Sequence, residues 1–382
     1  MKKFLFFIIL LICFGINAAQ AQYSYPAGYL ANAAKAWAGI FSNLGPSGEV
    51  AAYIKDVQES DISAFMNTVS ILAFNSTAIS LFETRHHINQ AFDVISSPMI
   101  ARRNKCVRNL TECTSTRKNI VIGGQVFGAF ADYDSNYNGD FKTRNTGFYV
   151  NAKGAISDGW QIGLSYTRSL TDTKNNKVYT DATSNSITMF SEYLANNGFF
   201  INMGINGGHT TWASDKTIAG VSDDSSYDTE FLSGQINTGF RMYRGRITMV
   251  PQIGVRYSII GADEYTDAVA QSFDSWWYNS LTGFMSLNIG FDFIGSDFII
   301  RPDLRIGGSY DAINRGTEDL RVQLINGAIY DIPIEKPNRT ALNAGAGLNV
   351  YGEIYSAGIS YMFDMRSGYI SNTLMANLKI AF

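Results

Sequence analysis

From Ile120 to Phe382 the chain repeats with a period of two. Trp160, Ile162, Leu164 and Tyr166 alternate with Gln161, Gly163, Ser165 and Thr167. Ile253, Val255, Tyr257 and Ile259 alternate with Gly254, Arg256 and Ser258, and Leu342, Ala344, Ala346, Leu348 and Val350 with Asn343, Gly345, Gly347 and Asn349. Strict alternation makes a strand with one apolar and one polar face. The alternating segments run for about 12 to 15 residues; a globular strand favours roughly 5 to 6, and a tilted strand crossing a bilayer needs roughly 9 to 11.

The connections narrow the choice further. Tight turns are expected at Ser157-Asp158-Gly159, Asn196-Asn197-Gly198, Arg244-Gly245-Arg246, Gly295-Ser296-Asp297 and Tyr351-Gly352-Glu353. Longer polar stretches at 134–143, 171–183, 213–228, 261–279 and 312–339 fall between them. Short and long connections in alternation are the up-and-down plan of a barrel with short periplasmic turns and longer outer loops. The segments count to twelve, so the fold class is all-β: a twelve-stranded antiparallel transmembrane β-barrel. The 35 Gly, 21 Tyr and 25 Phe, with charged residues at only 16%, suit such a wall. Its polar face becomes the lumen, and Lys153, Glu192, Arg241, Arg256, Asp292, Arg301, Asp303, Arg305 and Lys379 fall on that face. Within it, Arg301, Asp303 and Arg305 form a ladder that either packs against lumen contents or sets ion selectivity. Trp276-Trp277-Tyr278 reads as part of an interfacial aromatic girdle.

Upstream of the barrel, residues 1–21 have the features of an export signal: Lys2 and Lys3, an apolar run from Phe4 to Ile16, then Ala19-Gln20-Ala21. Without those two lysines, 28 Lys and Arg stand against 33 Asp and Glu, a net charge of −5 that implies no nucleic-acid partner. Residues 22–59 form a weakly patterned segment rich in small residues. Residues 60–97 carry helical spacing that stops before Pro98. The connector 98–119 is basic and holds Cys106 and Cys113, which in an exported chain read as a disulfide before a metal site, with no histidine close by to complete a zinc shell.

No chemistry announces itself. The histidines are His86, His87 and His209. His209 has no serine beside it in the sequence, and His86 and His87 point about 100° apart on a helix, a poor chelating geometry. The chain is therefore expected to be non-enzymatic and to need no cofactor.

The last residues supply a different kind of signal. Leu374, Ala376, Leu378, Ile380 and the terminal Phe382 alternate with polar neighbours, a pattern that resembles the C-terminal signal by which outer-membrane barrels reach their assembly machinery and periplasmic chaperones. Residues 120–382, with GGQVFGAFADYD, SDGWQIGLSYTRS and the final NRTALNAGAGLNVYGEIYSAGISYMFDMRSGYISNTLMANLKIAF, resemble the autotransporter β-domain. That resemblance implies a monomeric barrel in outer-membrane lipid with an N-terminal helix through its lumen, linking a surface passenger to the first strand. Residues 75–97 stand where that helix belongs, and Arg85 would face Glu192 or Asp292. The segment available as passenger is short, and residues 75–119 lack the Asn-Asn pair at which some members of that family cut themselves, so no self-cleavage is expected. Two other roles remain open on the sequence: a pore for small solutes, and an adhesin acting through its outer loops.

Overall fold

The computed structural model describes residues 77–96 and 120–382, apart from 135–139, 175–177, 219–220, 268–270, 325–326 and 353. The helix α1 (Thr77–Ser96) is followed by β1 (Ile120–Tyr133), β2 (Phe141–Ser157), β3 (Trp160–Lys174), β4 (Val178–Leu194), β5 (Phe199–Ile218) and β6 (Val221–Phe240). Then come β7 (Met242–Arg244), β8 (Ile247–Ala262), β9 (Tyr265–Thr266), β10 (Ser272–Phe273), β11 (Trp276–Phe291) and β12 (Phe293–Ile294). The chain ends with β13 (Ile299–Gly316), β14 (Asp319–Gln323), β15 (Ile329–Pro333), β16 (Thr340–Tyr351), β17 (Tyr355–Arg366) and β18 (Tyr369–Ala381). β7 continues β6 beyond a break at Arg241, and β12 continues β11 beyond Asp292, so the wall has twelve antiparallel staves. Pairing of β1 with β18 and of β8 with β11 closes it. Closure leaves the wall without an edge, which lipid requires because it offers no partner to a free N–H or C=O.

Side chains sort by face as the alternation demands. Val126, Phe130, Leu164, Met189, Ile205 and Leu304 are exposed on the outside, where lipid stands in for water. The inner face is hydroxyl and amide, paired across strands: Thr143 with Thr173 at 3.3 Å, Ser184 with Thr210 at 2.8 Å, Ser233 with Ser258 at 2.7 Å. At the turns, Gly159 and Gly198 have φ of 87° and 88°, which a side chain resists.

A second device is less visible in the sequence. Phe127, Phe190, Phe231, Phe200 and Phe284 on the inner face each stand directly opposite a glycine of the next strand, Gly147, Gly163, Gly208, Gly239 and Gly254 respectively. In all five, a Cβ on the glycine would sit within 2.8 Å of the ring. The far end of each ring thus occupies the space of a missing side chain. Gly208→Val also drives its Cβ toward the Asn185 carbonyl, and overpacking of this kind costs about 1–3 kcal/mol. The expected result is a folded barrel that loses its heat-resistant gel mobility at a lower temperature than wild type; an unchanged transition would show the ring free to move aside.

The strands are longer than the sequence suggested, 12 to 20 residues in the main staves. Most of 171–183 and 213–228, expected as loops, is strand: Asp172 pairs with Asp181 and Ala213 with Ser226. Beyond the lipid the outward face has no reason to be apolar, so the ladder continues in Ser, Thr, Asp and Lys without the alternation that betrays a strand. The aromatic triplet is also split. Trp277 faces outward, but Trp276 and Tyr278 are buried inside, because neighbours in a strand point to opposite faces.

At the end with the longer connections, β15, β14, β10 and β9 form a separate four-stranded sheet. Leu320, Val322, Tyr330 and Ile332 are buried on one face of it. An aromatic stack ties it to the inner wall: Trp212 to Tyr227 at 6.2 Å, Tyr227 to Tyr265 at 4.5 Å, Tyr265 to Phe273 at 4.6 Å. A buried network fastens it, with Asp267 accepting from Gln271 at 2.8 Å and Tyr330 donating to Gln271. This sheet folds inward as a cap over the mouth.

Candidate functional site

The helix α1 lies inside the barrel, against the inner faces of β3, β4, β5 and β6. Ile79, Leu81, Ile88 and Phe92 are almost wholly buried. Its direction follows from its neighbours. Phe82 packs edge-on to Tyr133 at 4.9 Å and against Tyr369 at 6.1 Å, both at the capped end. Glu83 accepts hydrogen bonds from Tyr133 at 2.7 Å and Asn145 at 3.3 Å. Two turns later Asn89 meets Arg256, whose guanidinium stands 5.1 Å over the Phe92 ring, near the middle of β8. The helix therefore runs from the capped mouth inward, and β1 begins at the opposite end, at Ile120.

Polar anchors recur along the helix. Arg85 donates through Nη2 to both oxygens of Asp311, at 2.9 and 3.2 Å, and through Nη1 to the Tyr278 hydroxyl. Asp311 is fully buried and also accepts from Arg366 at 3.1 Å and Thr282 at 2.6 Å. His87 sits between Ser169 at 2.7 Å and Ser186 at 2.9 Å, so hydroxyls occupy both ring nitrogens and no carboxylate orients the ring. A nucleophilic triad needs that third group.

The expected partners of Arg85 are engaged elsewhere. Glu192 pairs with Lys153 at 2.6 Å, and Asp292 with Arg301 at 2.6 Å. Both pairs lie at the turn end of the barrel, beyond the reach of a residue in the first turns of α1. Asp303 accepts from Asn349 at 2.6 Å, and Arg241 sits at the break after β6 with its backbone N–H on Gly198. Lys379 feels Lys153 and Glu192 nearby. Arg256 is held by Gln235 at 2.9 and 2.6 Å, and Arg305 lines a cavity beside the helix. His209 lies on the outer face of β5. On β18, Leu374, Ala376, Leu378, Ile380 and Phe382 face outward, and the Phe382 N–H donates to Ile120. Cys106 and Cys113, and everything before residue 77, lie outside the described residues. Asp311 was not among the residues expected in the lumen, although it continues the parity of Arg301, Asp303 and Arg305; it stands one residue before the stretch 312–339 expected as a loop.

A family model for the autotransporter β-domain matches residues 122–361, well over half the chain. The chain belongs to the autotransporter β-domain family. The translocator domain of autotransporter NalP from Neisseria meningitidis superposes on this autotransporter β-domain with a TM-score of 0.61 at 12% identity, covering 81% of this chain and 100% of that one. The β-domain of the Bordetella autotransporter BrkA gives 0.53 at 12% identity, covering 69% and 100%. At these identities the likeness establishes the fold. Curated relatives include outer membrane protein A of Rickettsia conorii, 23% identical over 264 residues, and of Rickettsia rickettsii, 23% over 266. Each match spans 63% of this chain, which in turn spans only about one eighth of those proteins' length. Family and fold make this autotransporter β-domain an integral outer-membrane barrel.

Proposed function

We propose that this barrel carries the chain preceding α1 to the cell surface and afterwards holds it there, with α1 as the anchor. The direction of the helix carries the reading: Phe82 and Glu83 meet residues of the capped end, while β1 starts at the turn end. In an outer-membrane barrel the turn end is periplasmic. A helix running in that sense favours an exit at the outer end for whatever precedes it. The work is physical, with no catalytic step: a closed wall satisfies every backbone group in lipid, and a polar lumen offers an extended chain a route that lipid denies.

The test is a tag near Ser47, probed by protease or antibody on intact cells, with barrel folding checked by heat-modifiable gel mobility. Export predicts a reachable tag on a folded barrel. A folded barrel with a protected tag would overturn the reading and turn attention to a solute pore.

A further inference from the structure

The outer face of β3 carries one charge that its surroundings in the protein do not explain. Arg168 is exposed there between Tyr166 and Leu170, with Phe148 of β2 and Asn185 of β4 directly across from it. Its diagonal neighbours are Val150 and Ile187 toward the membrane centre, and Thr146 and Thr183 toward the outer end. None of these is acidic, and the Asn185 side-chain oxygen already accepts from Tyr166 at 2.7 Å. Among the described residues no side chain hydrogen-bonds or ion-pairs with Arg168. The row it belongs to fixes its depth. Arg168, Asn185, His209 and Glu230 are successive cross-strand partners, and the outward row beneath them is Tyr166, Ile187, Gly207 and Leu232. Arg168 therefore stands in the first polar row above the apolar belt, at the level of the lipid headgroups on the side of the longer connections. Glu230, the acid of that row, is three strands or about 14 Å away, too far to pair with it.

A guanidinium on the lipid face is costly within hydrocarbon and tolerated at the interface, where it meets headgroups. Its planar fork of donors matches a phosphate. The kind of headgroup follows from what stands above it. On β2 and β3 the basic residues continue outward as Arg144, Lys142 and Lys174, with Asp172 as the acid of those two strands at this height. Asp172 faces Asp181 of β4 and shares hydrogen bonds with it and with Tyr179, while Asp132 of β1 lies 3.7 Å from Lys142. A glycerophospholipid offers its phosphate at one level and ends close by. A phosphorylated glycolipid carries sugars and further phosphates upward, past the hydroxyls of Thr146 and Thr183 and the amide of Asn185 and on toward Arg144. We propose that Arg168 binds a phosphate of a phosphorylated glycolipid in the outer leaflet, seated against β2, β3 and β4. The bound lipid stabilises the folded barrel by mass action, a property independent of whether the N-terminal segment is exported.

The probes are lipid A, lipid A stripped of its phosphates, and phosphatidylglycerol, each titrated into the full chain folded in detergent. The readout is the temperature at which the barrel loses its heat-resistant gel mobility, taken for each variant against its own lipid-free value. Lipid A is expected to raise that temperature and the other two to leave it nearly unchanged. Arg168→Leu, which places an apolar side chain on a lipid-facing position, is expected to fold and to need at least about tenfold more lipid A for the same rise. Arg168→Lys keeps the charge but loses the fork, and should fall between the two. Arg315→Leu removes another exposed arginine, on β13 across the ring from β3, and should respond as wild type does. A wild-type response in Arg168→Leu overturns the proposal, as does an equal loss in Arg315→Leu, which would make net charge the cause. Equal stabilisation by phosphatidylglycerol or by the phosphate-free glycolipid overturns it too, and so does the absence of any response.

Discussion

Asp311→Asn is expected to turn a closed barrel into one that opens in bursts when the purified protein is placed in a planar bilayer. Asp311 is the shared acceptor for Arg85 of the helix and Arg366 of the wall, and it is shut off from solvent. Removing its charge leaves two guanidiniums that have lost their shared hydrogen-bonded partner and keep only the field of Asp364 nearby, a kind of disruption that costs about 3–5 kcal/mol. A loss of 3 kcal/mol in docking changes the ratio of seated to unseated helix by more than about a hundredfold. Arg85→Gln should act in the same direction but less, by about 1.5–3 kcal/mol, because Asp311 then keeps Arg366 and Thr282. Exchanging the charges should not rescue the barrel, since an arginine at 311 would meet Arg366. Conductance that stays at the wild-type level in Asp311→Asn, or that rises more in Arg85→Gln, would show that the helix is held by its apolar face alone.

The second large effect concerns the cap. Replacing Asp319–Pro333 by a short Gly-Ser turn removes Leu320, Val322, Tyr330 and Ile332 together with the Tyr330 hydroxyl that donates to Gln271. The buried face of the cap shares one cluster with α1 and the inner wall, and with α1 still seated, deleting the cap alone should leave conductance near wild type. Combined with Asp311→Asn it should give steady, several-fold larger openings than Asp311→Asn alone, a strongly non-additive outcome of the kind coupled elements produce. Additive conductances would mean that the cap does not lie across the channel.

The wall was readable wherever it touches lipid, because there one face must be apolar and the other cannot be. Leu164 and Tyr166 against Ser165 and Thr167 leave no other reading. The same strands became illegible above the membrane: past Leu170 the outward residues of β3 are Asp172 and Lys174, and only the hydrogen-bond ladder keeps the strand going. The lumen was legible by parity but not by partner. Parity puts Glu192, Asp292 and Asp311 on one inner surface, yet choosing Asp311 for Arg85 requires the depth of the helix and the knowledge that the other two acids are already paired. The cap hairpin lay in a stretch expected to be open loop, because five-residue strands such as β14 and β15 are too short for their alternation to stand out.

The five phenylalanine–glycine pairs bear on how the wall finds its alignment. A strand that slips by one residue turns its lipid face inward, an error lipid itself rejects. A slip of two keeps every face correct, and hydrophobicity cannot detect it. The rings can. Shifted by two, Phe127 would land on Asn145 or Tyr149 instead of Gly147, and Phe231 on Asn206 or Thr210 instead of Gly208. Each ring then meets a side chain in place of bare backbone, which penalises the two-residue slip. Bare backbone opposite a ring thus tells the native register from its same-face neighbours, at five places around the barrel.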